Sequence, residues 1–345
     1  MAVELGEVRD EDAFDIKSVH QWLLKNSDTP ADQPLVRQFN SGASNLTYLL
    51  TYKDRELILR RPPVGTKAAS AHDMKREFFI QKALRPDFPI APVVIALCED
   101  KSIIGSDFYV MQKIDGVIFR RDLPKGLDLG AAEIKLIGDL VIDGLVSLHH
   151  VDPKALSQLS KGPGYVGRQV EGWSRRYRNA LTPDVPDGEV LMNWLDQRQP
   201  RDVASCVIHG DWRLDNIVFN LDSTPRLVGA LDWELATIGD PLMDLGSSMA
   251  YWIDRDDSGA FADLRRQPSH LPGMPTRKEF VEQYLEKSEW ECNDFSFYEV
   301  FGLFRLTVIL QQIWARYVAG QTTNPAFAGF GDAVNLLINR AMRII

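Results

Sequence analysis

Residues His209-Gly210-Asp211-Trp212-Arg213-Leu214-Asp215-Asn216 form a polar octapeptide between two short apolar runs, Cys206–Ile208 and Ile217–Phe219. Short runs rich in β-branched and aromatic residues read as strands. A third such run, Leu227–Leu231, ends directly before Asp232-Trp233-Glu234. Asp211, Asn216 and Asp232 are therefore expected on loops at strand ends. The segments on either side have helical periodicity, so the feature demands strand pairs inside a mostly helical stretch, an α+β arrangement.

The rest of the chain divides in two. Residues 11–26 carry a helical apolar pattern through Phe14, Ile16, Val19, Trp22 and Leu23, followed by a polar stretch from Ser27 to Pro34. Alternation predicts strands over Leu46–Thr51 and Glu56–Arg61 with a turn at residues 52–55, then a helix over 70–84 from a cap at Ser70. Further strands are expected over Val93–Leu97 and Asp107–Lys113. Beyond Gly116 helices dominate. One carries Ile134, Ile137, Leu140, Val141, Leu145 and Leu148; others are expected over 168–180, 188–198 and 296–318. The reading is a small strand-rich lobe, residues 1–113, and a larger mainly helical lobe, residues 114–345, with a ligand site expected in a cleft between them.

Composition narrows the function classes. A chain of 345 residues with 45% apolar and 25% charged residues suits a soluble globular protein. Its formal charge of −9 argues against non-specific nucleic-acid binding. No window is apolar enough for a membrane span. Glu4, Glu7, Asp10, Glu11 and Asp12 are unlike a signal or transit peptide, so a cytoplasmic location is expected, with Cys98, Cys206 and Cys292 as reduced thiols.

Asp211, Asn216 and Asp232 supply what phosphoryl transfer needs. A carboxylate accepts a hydroxyl proton, and an amide oxygen and a second carboxylate hold magnesium, a hard cation that prefers oxygen ligands. Taken singly, each would read as a turn or cap residue. Order and spacing together favour the catalytic assignment.

His209-Gly210-Asp211 with Asn216 and Leu231-Asp232-Trp233-Glu234 resembles the aminoglycoside phosphotransferase and choline kinase superfamily. Ser41-Gly42-Ala43-Ser44-Asn45-Leu46-Thr47, Leu59-Arg60-Arg61-Pro62-Pro63 and Asp240-Pro241-Leu242-Met243-Asp244-Leu245-Gly246 look like the kinase-like domains associated with acyl-CoA dehydrogenases. The resemblance covers roughly residues 34–320 and implies a two-lobed, protein-kinase-like fold, with a small N-terminal antiparallel-sheet lobe. It implies ATP and Mg2+ as cofactors, Asp211 as base, and Asn216 and Asp232 as metal ligands. Ser41, Gly42, Ser44 and Asn45 would cover the nucleotide phosphates. Arg60 stands where kinases carry a phosphate-binding Lys, with Arg61 as an alternative on the opposite strand face. Glu77 would hold that cation, or would be a surface residue. The backbones of Gln112 and Ile114 would meet adenine. His209 is expected to support the loop.

For the acceptor, residues 161–180 hold Lys161, Arg168, Arg175, Arg176 and Arg178 against Glu171, a local charge of +4, with Trp173 and Tyr177 interleaved. Arg168, Trp173, Arg175 and Arg176 are candidate contacts for an anionic substrate; a solvated helix face is the alternative. The resemblance points to a hydroxyacyl-CoA, a CoA thioester, as the small-molecule partner. An aminoglycoside or choline-type kinase and a catalytically silent nucleotide-binding scaffold are the competing readings.

Three motifs are set aside. Gly162-Pro163-Gly164-Tyr165-Val166-Gly167 follows a polar segment, not a strand, so no dinucleotide site is expected. The sequon Asn45-Leu46-Thr47 carries no function without a secretory route. Adjacent helical His149 and His150 cannot face one metal.

Overall fold

The computed structural model describes residues 5–39, 45–63 and 73–345. Ser41, Gly42 and Ser44, and the Ser70 cap, lie outside the described residues. Two compact units divide the chain: Met1–Phe119 with Leu123–Leu127 and Asn216–Leu235, and Arg120–Asp122 with Asp128–Asp215 and Ala236–Ile345. The expected boundary at residues 113/114 falls within the first unit, because a later hairpin returns to it.

The first unit opens with strand β1 (Leu5–Gly6), helix α1 (Ile16–Asn26), and strands β2 (Leu35–Phe39), β3 (Leu46–Thr51) and β4 (Glu56–Arg61). Helix α2 (Met74–Leu84) and strands β5 (Val94–Cys98), β6 (Phe108–Gln112) and β7 (Val117–Ile118) follow. The first helix starts five residues later than its apolar pattern predicts: Asp15 caps it by accepting from the Lys17 N–H. Likewise Asp73 caps α2 through the Arg76 N–H. In both, a carboxylate satisfies an N–H that has no intrahelical partner.

Six strands make an antiparallel sheet in the order β1-β2-β3-β4-β6-β5. Strand alternation buries both faces. Tyr48, Leu50, Leu57, Leu59, Phe108 and Val110 pack with Val19 and Leu23 of α1. Leu49, Ile58, Tyr109 and Met111 pack with Met74 and Phe78 of α2. The two-residue period decides between the neighbouring arginines of β4. Arg60 shares the α2 face with Ile58. Arg61 turns the other way, where its Nε donates to the Tyr48 hydroxyl at 3.2 Å and its guanidinium lies 5.4 Å from the Phe14 ring centre.

The second unit begins with α3 (Ala131–His149), α4 (Tyr165–Asn179), α5 (Glu189–Gln197) and β8 (Cys206–Ile208). The chain then returns to the first unit as β9 (Ile217–Asn220) and β10 (Arg226–Ala230), an antiparallel pair extended by β7. It re-enters the second unit with β11 (Thr237–Gly239), which pairs with β8, then α6 (Pro241–Met249), α7 (Gly259–Asp263), α8 (Arg277–Ser288), α9 (Ser296–Val318) and α10 (Phe330–Ala341). Helix α9 packs most extensively on α10 and α6. At the α6–α9 crossing a Cβ at Gly302 would overlap the Gly246 carbonyl, and one at Gly246 the Tyr298 carbonyl. Only glycine permits that backbone approach. The crossing holds Asp244 and Arg305, a few residues away on the two helices, in fixed positions.

No helix among the described residues is long and apolar enough to cross a membrane. All three cysteines are free thiols.

Candidate active site

In the first unit, Arg60 meets carboxylates from two other stretches of chain. Its Nη1 lies 2.9 Å from Glu77 Oε1 and its Nη2 donates to Asp232 Oδ1 at 3.1 Å. Arg60 is 8% exposed and Glu77 1%. Glu77 is thus a buried partner of Arg60 and not a surface residue. Burial works against the Arg60 charge, but Glu77 and Asp232 outweigh it and hold the guanidinium protonated. Burial also pushes the Glu77 carboxyl above its usual range, opposed by the Arg60 charge.

Asp232 has a φ of 65°, a left-handed conformation that costs a non-glycine residue free energy. That backbone aims its carboxylate at Arg60. Asn216 lies beside the same strand ends: Ile217 pairs with Ala230, and the Leu231 N–H donates to the Asn216 carbonyl at 2.7 Å. Between them, Asn216 and Asp232 offer an amide and a carboxylate oxygen. Among the described residues no group of three or more His, Cys, Asp or Glu side chains could hold a metal. The amide oxygen of Asn216 and the carboxylate of Asp232 are hard donors of the kind magnesium takes alongside water and phosphate oxygens.

Asn45 is buried, with its amide 3.4 Å from Glu234 Oε2, while Arg76 Nη1 donates to the Glu234 carbonyl at 2.8 Å. Gln112, the last residue of β6, gives its N–H to the Val93 carbonyl at 2.8 Å. Ile114 lies over Gly229, where a Cβ would stand 2.8 Å from the isoleucine Cδ1.

In the second unit the octapeptide is braced through its backbone. Asp244 accepts the His209 N–H at 2.8 Å and the Gly210 N–H at 2.9 Å. The buried His149 Nε2 lies 3.1 Å from the same carboxylate, and its Nδ1 2.6 Å from the Tyr284 hydroxyl. His149 is thus a packed hydrogen-bonding partner. Burial works against the Asp244 charge, yet the bonds and charges of His149 and His209 hold its carboxyl below the usual range. Arg305 Nη2 donates to the Gly210 carbonyl at 2.7 Å, and Gln267 Oε1 accepts the Leu214 N–H at 2.9 Å. His209 Nδ1 accepts the Asp211 N–H at 3.2 Å, the supporting part expected of it.

Arg213 reaches both carboxylates of the loop, with Nε 3.0 Å from Asp211 Oδ1 and Nη2 3.2 Å from Asp215 Oδ2. Its guanidinium lies 4.5 Å from the Tyr251 ring centre, a favourable cation–π distance. The clamp fixes the carboxylate of Asp211 toward one side of the loop.

The basic stretch of α4 splits up. Arg168 bonds the carbonyls of Gly162 and Pro163. Arg175 pairs with Glu171 at 3.2 Å, and Arg178 with Glu189 at 2.7 Å. Of the four acceptor candidates, only Trp173 and Arg176 come together, with the guanidinium 4.6 Å from the ring centre. The same ring has Arg305 at 5.4 Å. The glycine motif that opens α4 holds no room for a phosphate: Asp202 accepts the N–H groups of Gly164, Tyr165 and Val166 at 2.6–2.9 Å. A carboxylate of the chain itself satisfies that helix start.

Sequence reasoning passed over Arg213, Tyr251, Gln267 and Arg305. For Arg305 a signal existed: an arginine interrupting the apolar face made by Phe301, Phe304 and Val308 must find a buried partner. For Arg213 the signal was its place two residues beyond Asp211.

Residues 35–280 match the phosphotransferase enzyme family. Acyl-CoA dehydrogenase family member 10 of Mus musculus is 37% identical over 291 residues, 83% of this chain and 27% of that protein. Acyl-CoA dehydrogenase family member 11 of Gallus gallus is 33% identical over 362 residues, 100% of this chain and 45% of that protein. The chain thus spans less than half the length of these curated relatives. Among solved structures, a Ralstonia eutropha protein assigned as an aminoglycoside phosphotransferase superposes with a TM-score of 0.82 at 29% identity, over 96% of this chain and 98% of that one. Choline kinase of Cryptosporidium parvum superposes at 0.63 and 14% identity, over 95% and 96%, a likeness of fold.

Proposed function

The chain belongs to the phosphotransferase enzyme family, and from that premise we propose that it transfers the γ-phosphoryl group of ATP to a hydroxyl of a small molecule, with a hydroxyacyl-CoA as the leading acceptor. The observation that carries the reading is the buried cluster in which Arg60 holds Glu77 and Asp232 together. A cation kept charged between two carboxylates, one of them at a strained backbone position, is the arrangement that grips nucleotide phosphates beside a metal.

Asp211 takes the proton of the acceptor hydroxyl. The hydroxyl oxygen forms its bond to the γ-phosphorus as the bond to the β–γ bridging oxygen breaks, and that oxygen leaves with its electron pair on ADP. Arg213, ion-paired to Asp211, keeps the accepting carboxylate oriented. Arg60 steadies the phosphates, and Asn45, with Ser41, Gly42 and Ser44, covers them. The backbones of Gln112 and Ile114 meet the adenine ring. Asn216 and Asp232 are the oxygen donors for magnesium, which neutralises charge on the phosphate oxygens. The names of the curated relatives couple this kind of chain to acyl-CoA dehydrogenases, which supports an acyl-CoA acceptor.

A mass-spectrometric phosphotransfer screen with ATP and magnesium tests this, using hydroxyacyl-CoAs of several chain lengths, aminoglycosides and choline-like alcohols. Phosphoryl gain is expected on a hydroxyacyl-CoA. Asp211→Asn should lower the rate by about 10²- to 10⁴-fold, the range for loss of a general base. Gain on an aminoglycoside or choline overturns the acceptor and keeps the chemistry. Nucleotide binding without any transfer favours a silent scaffold, and full activity in Asp211→Asn removes the catalytic assignment.

A further inference from the structure

Most arginines of α4 have oxygen partners, as described above. Arg176 of α4 and Arg305 of α9 are set apart by what they lack. Neither has a carboxylate partner among the described residues, and both guanidiniums lie against one ring, Trp173, at 4.6 and 5.4 Å. Arg305 is only 7% exposed, and one of its nitrogens is spent on the Gly210 carbonyl, next to Asp211. Burial, Arg175 and Arg305 together hold the Arg176 guanidinium below its ordinary range, the mark of cations crowded without a counter-charge. Two like charges against one ring repel, and an anion that reaches both relieves the repulsion while accepting charge-assisted hydrogen bonds.

We infer that Trp173, Arg176 and Arg305 form an oxyanion subsite that recognises a phosphate or carboxylate carried by the acceptor, next to the loop that bears Asp211. The inference rests on the phosphotransferase reading and narrows it: the acceptor carries its own anionic group, which sets it apart from polycationic aminoglycosides and from choline. Arg176, exposed on α4, supplies the outer contact. Arg305, buried and tied to Gly210, supplies the fixed one. Trp173 lies within cation–π distance of both guanidiniums.

The test uses three ligands of one carbon skeleton: 4-hydroxybutyl phosphate, 4-hydroxybutanoate and butane-1,4-diol. Each is titrated into the full chain with and without saturating magnesium AMP-PNP, by calorimetry and tryptophan fluorescence, for the wild type, Arg176→Gln and Trp173→Leu. Circular dichroism checks that the exposed-site variant Arg176→Gln is folded. The phosphate should bind about tenfold more tightly than the diol, and Arg176→Gln should remove about fivefold of that preference, as expected for one charge-assisted contact on a partly exposed group. Trp173→Leu should reduce it too. Preference for the carboxylate over the phosphate assigns a carboxylate to the subsite. Equal binding of all three, or a preference that survives in both variants, overturns the subsite. Anion preference in a protein that does not bind AMP-PNP overturns the kinase reading and leaves the subsite standing; AMP-PNP binding without anion preference does the reverse.

Discussion

In the first unit Arg60 draws together Glu77 and Asp232, residues from a helix and a hairpin far apart in the chain. In the second, the octapeptide is a continuous run whose backbone is gripped by Asp244, Arg305 and Gln267. The first arrangement is a meeting of charges, each costly to bury without the others. The second is a loop held mainly by bonds to its N–H and C=O groups, to which the Asp211 carboxylate adds its pair with Arg213. The difference predicts separate failure modes. Changes to the charge cluster strike stability and nucleotide binding together. A change at Asp211 strikes chemistry and spares the fold.

The largest expected effect tests the charge cluster. Arg60→Met strands the buried Glu77 carboxylate and should cost about 4 kcal/mol in urea unfolding. Adding Glu77→Leu should recover most of that loss without restoring nucleotide affinity. A single variant as stable as wild type would mean that the pair is not desolvated, and the contrast between the units would collapse.

Next comes a contrast inside the second unit. Asp240 caps α6 and Asp244 lies in its first turn, and both are buried, yet burial, assisted by the Asp202 charge and opposed by three N–H bonds, raises the Asp240 carboxyl to about 6 from an ordinary 3.8, whereas Asp244 is lowered. A raised carboxylate binds its proton more tightly in the folded state. Its contribution is present below pH 4 and is lost as pH rises to about 6, by up to about 3 kcal/mol. The stability of wild type relative to Asp240→Asn should therefore fall across that window. A flat difference would remove the assigned shift.

Smaller still, Asp244→Asn keeps one accepting oxygen for the two loop N–H groups and should cost about 2 kcal/mol, with kcat falling more than nucleotide affinity. Thermal melts alongside single-turnover rates would separate the two; equal losses would mean that the brace serves the whole unit and not the loop. The smallest effect is expected from Arg305→Lys, which keeps the charge but loses the planar fork on Gly210 and Trp173. A kcat lower by about fivefold, ~1 kcal/mol, is expected.

Local pattern determined how much of this was visible beforehand. Strands β3, β4 and β8 and helix α9 have the bounds that their apolar runs predict, because strict periodicity and clear turns agree there. Strand β11 was not anticipated: Thr237-Ile238-Gly239 is three residues ending in glycine, and it is a strand because β8 pairs with it. The apolar patterns predict earlier starts for α1 and α2 than Ile16 and Met74, since the capping aspartates sit inside those patterns. In the candidate site, Asp211, Asn216 and Asp232 were legible as a spaced motif. The Arg60–Glu77 pair was legible only by resemblance, as nothing local links positions 60 and 77. The partners of Arg305 and Gln267 were not, because both meet backbone atoms, and any sequence at the receiving end offers the same carbonyls and N–H groups. The basic run on α4 misled for a related reason: charge counts along a chain ignore which acids fold back to neutralise them.

One consequence follows from the carboxylate of Asp202 at the start of α4. A helix is a rigid rod over a few turns, with a fixed rotation of about 100° per residue. Pinning three N–H groups at its first turn therefore sets the azimuth of every side chain that follows. Trp173 and Arg176 lie two to three turns further on, so Asp202, which touches neither, acts as the zero mark of the scale on which both are read. On the proposed subsite, a substitution there is expected to alter acceptor choice by turning the rod, without changing Trp173 or Arg176.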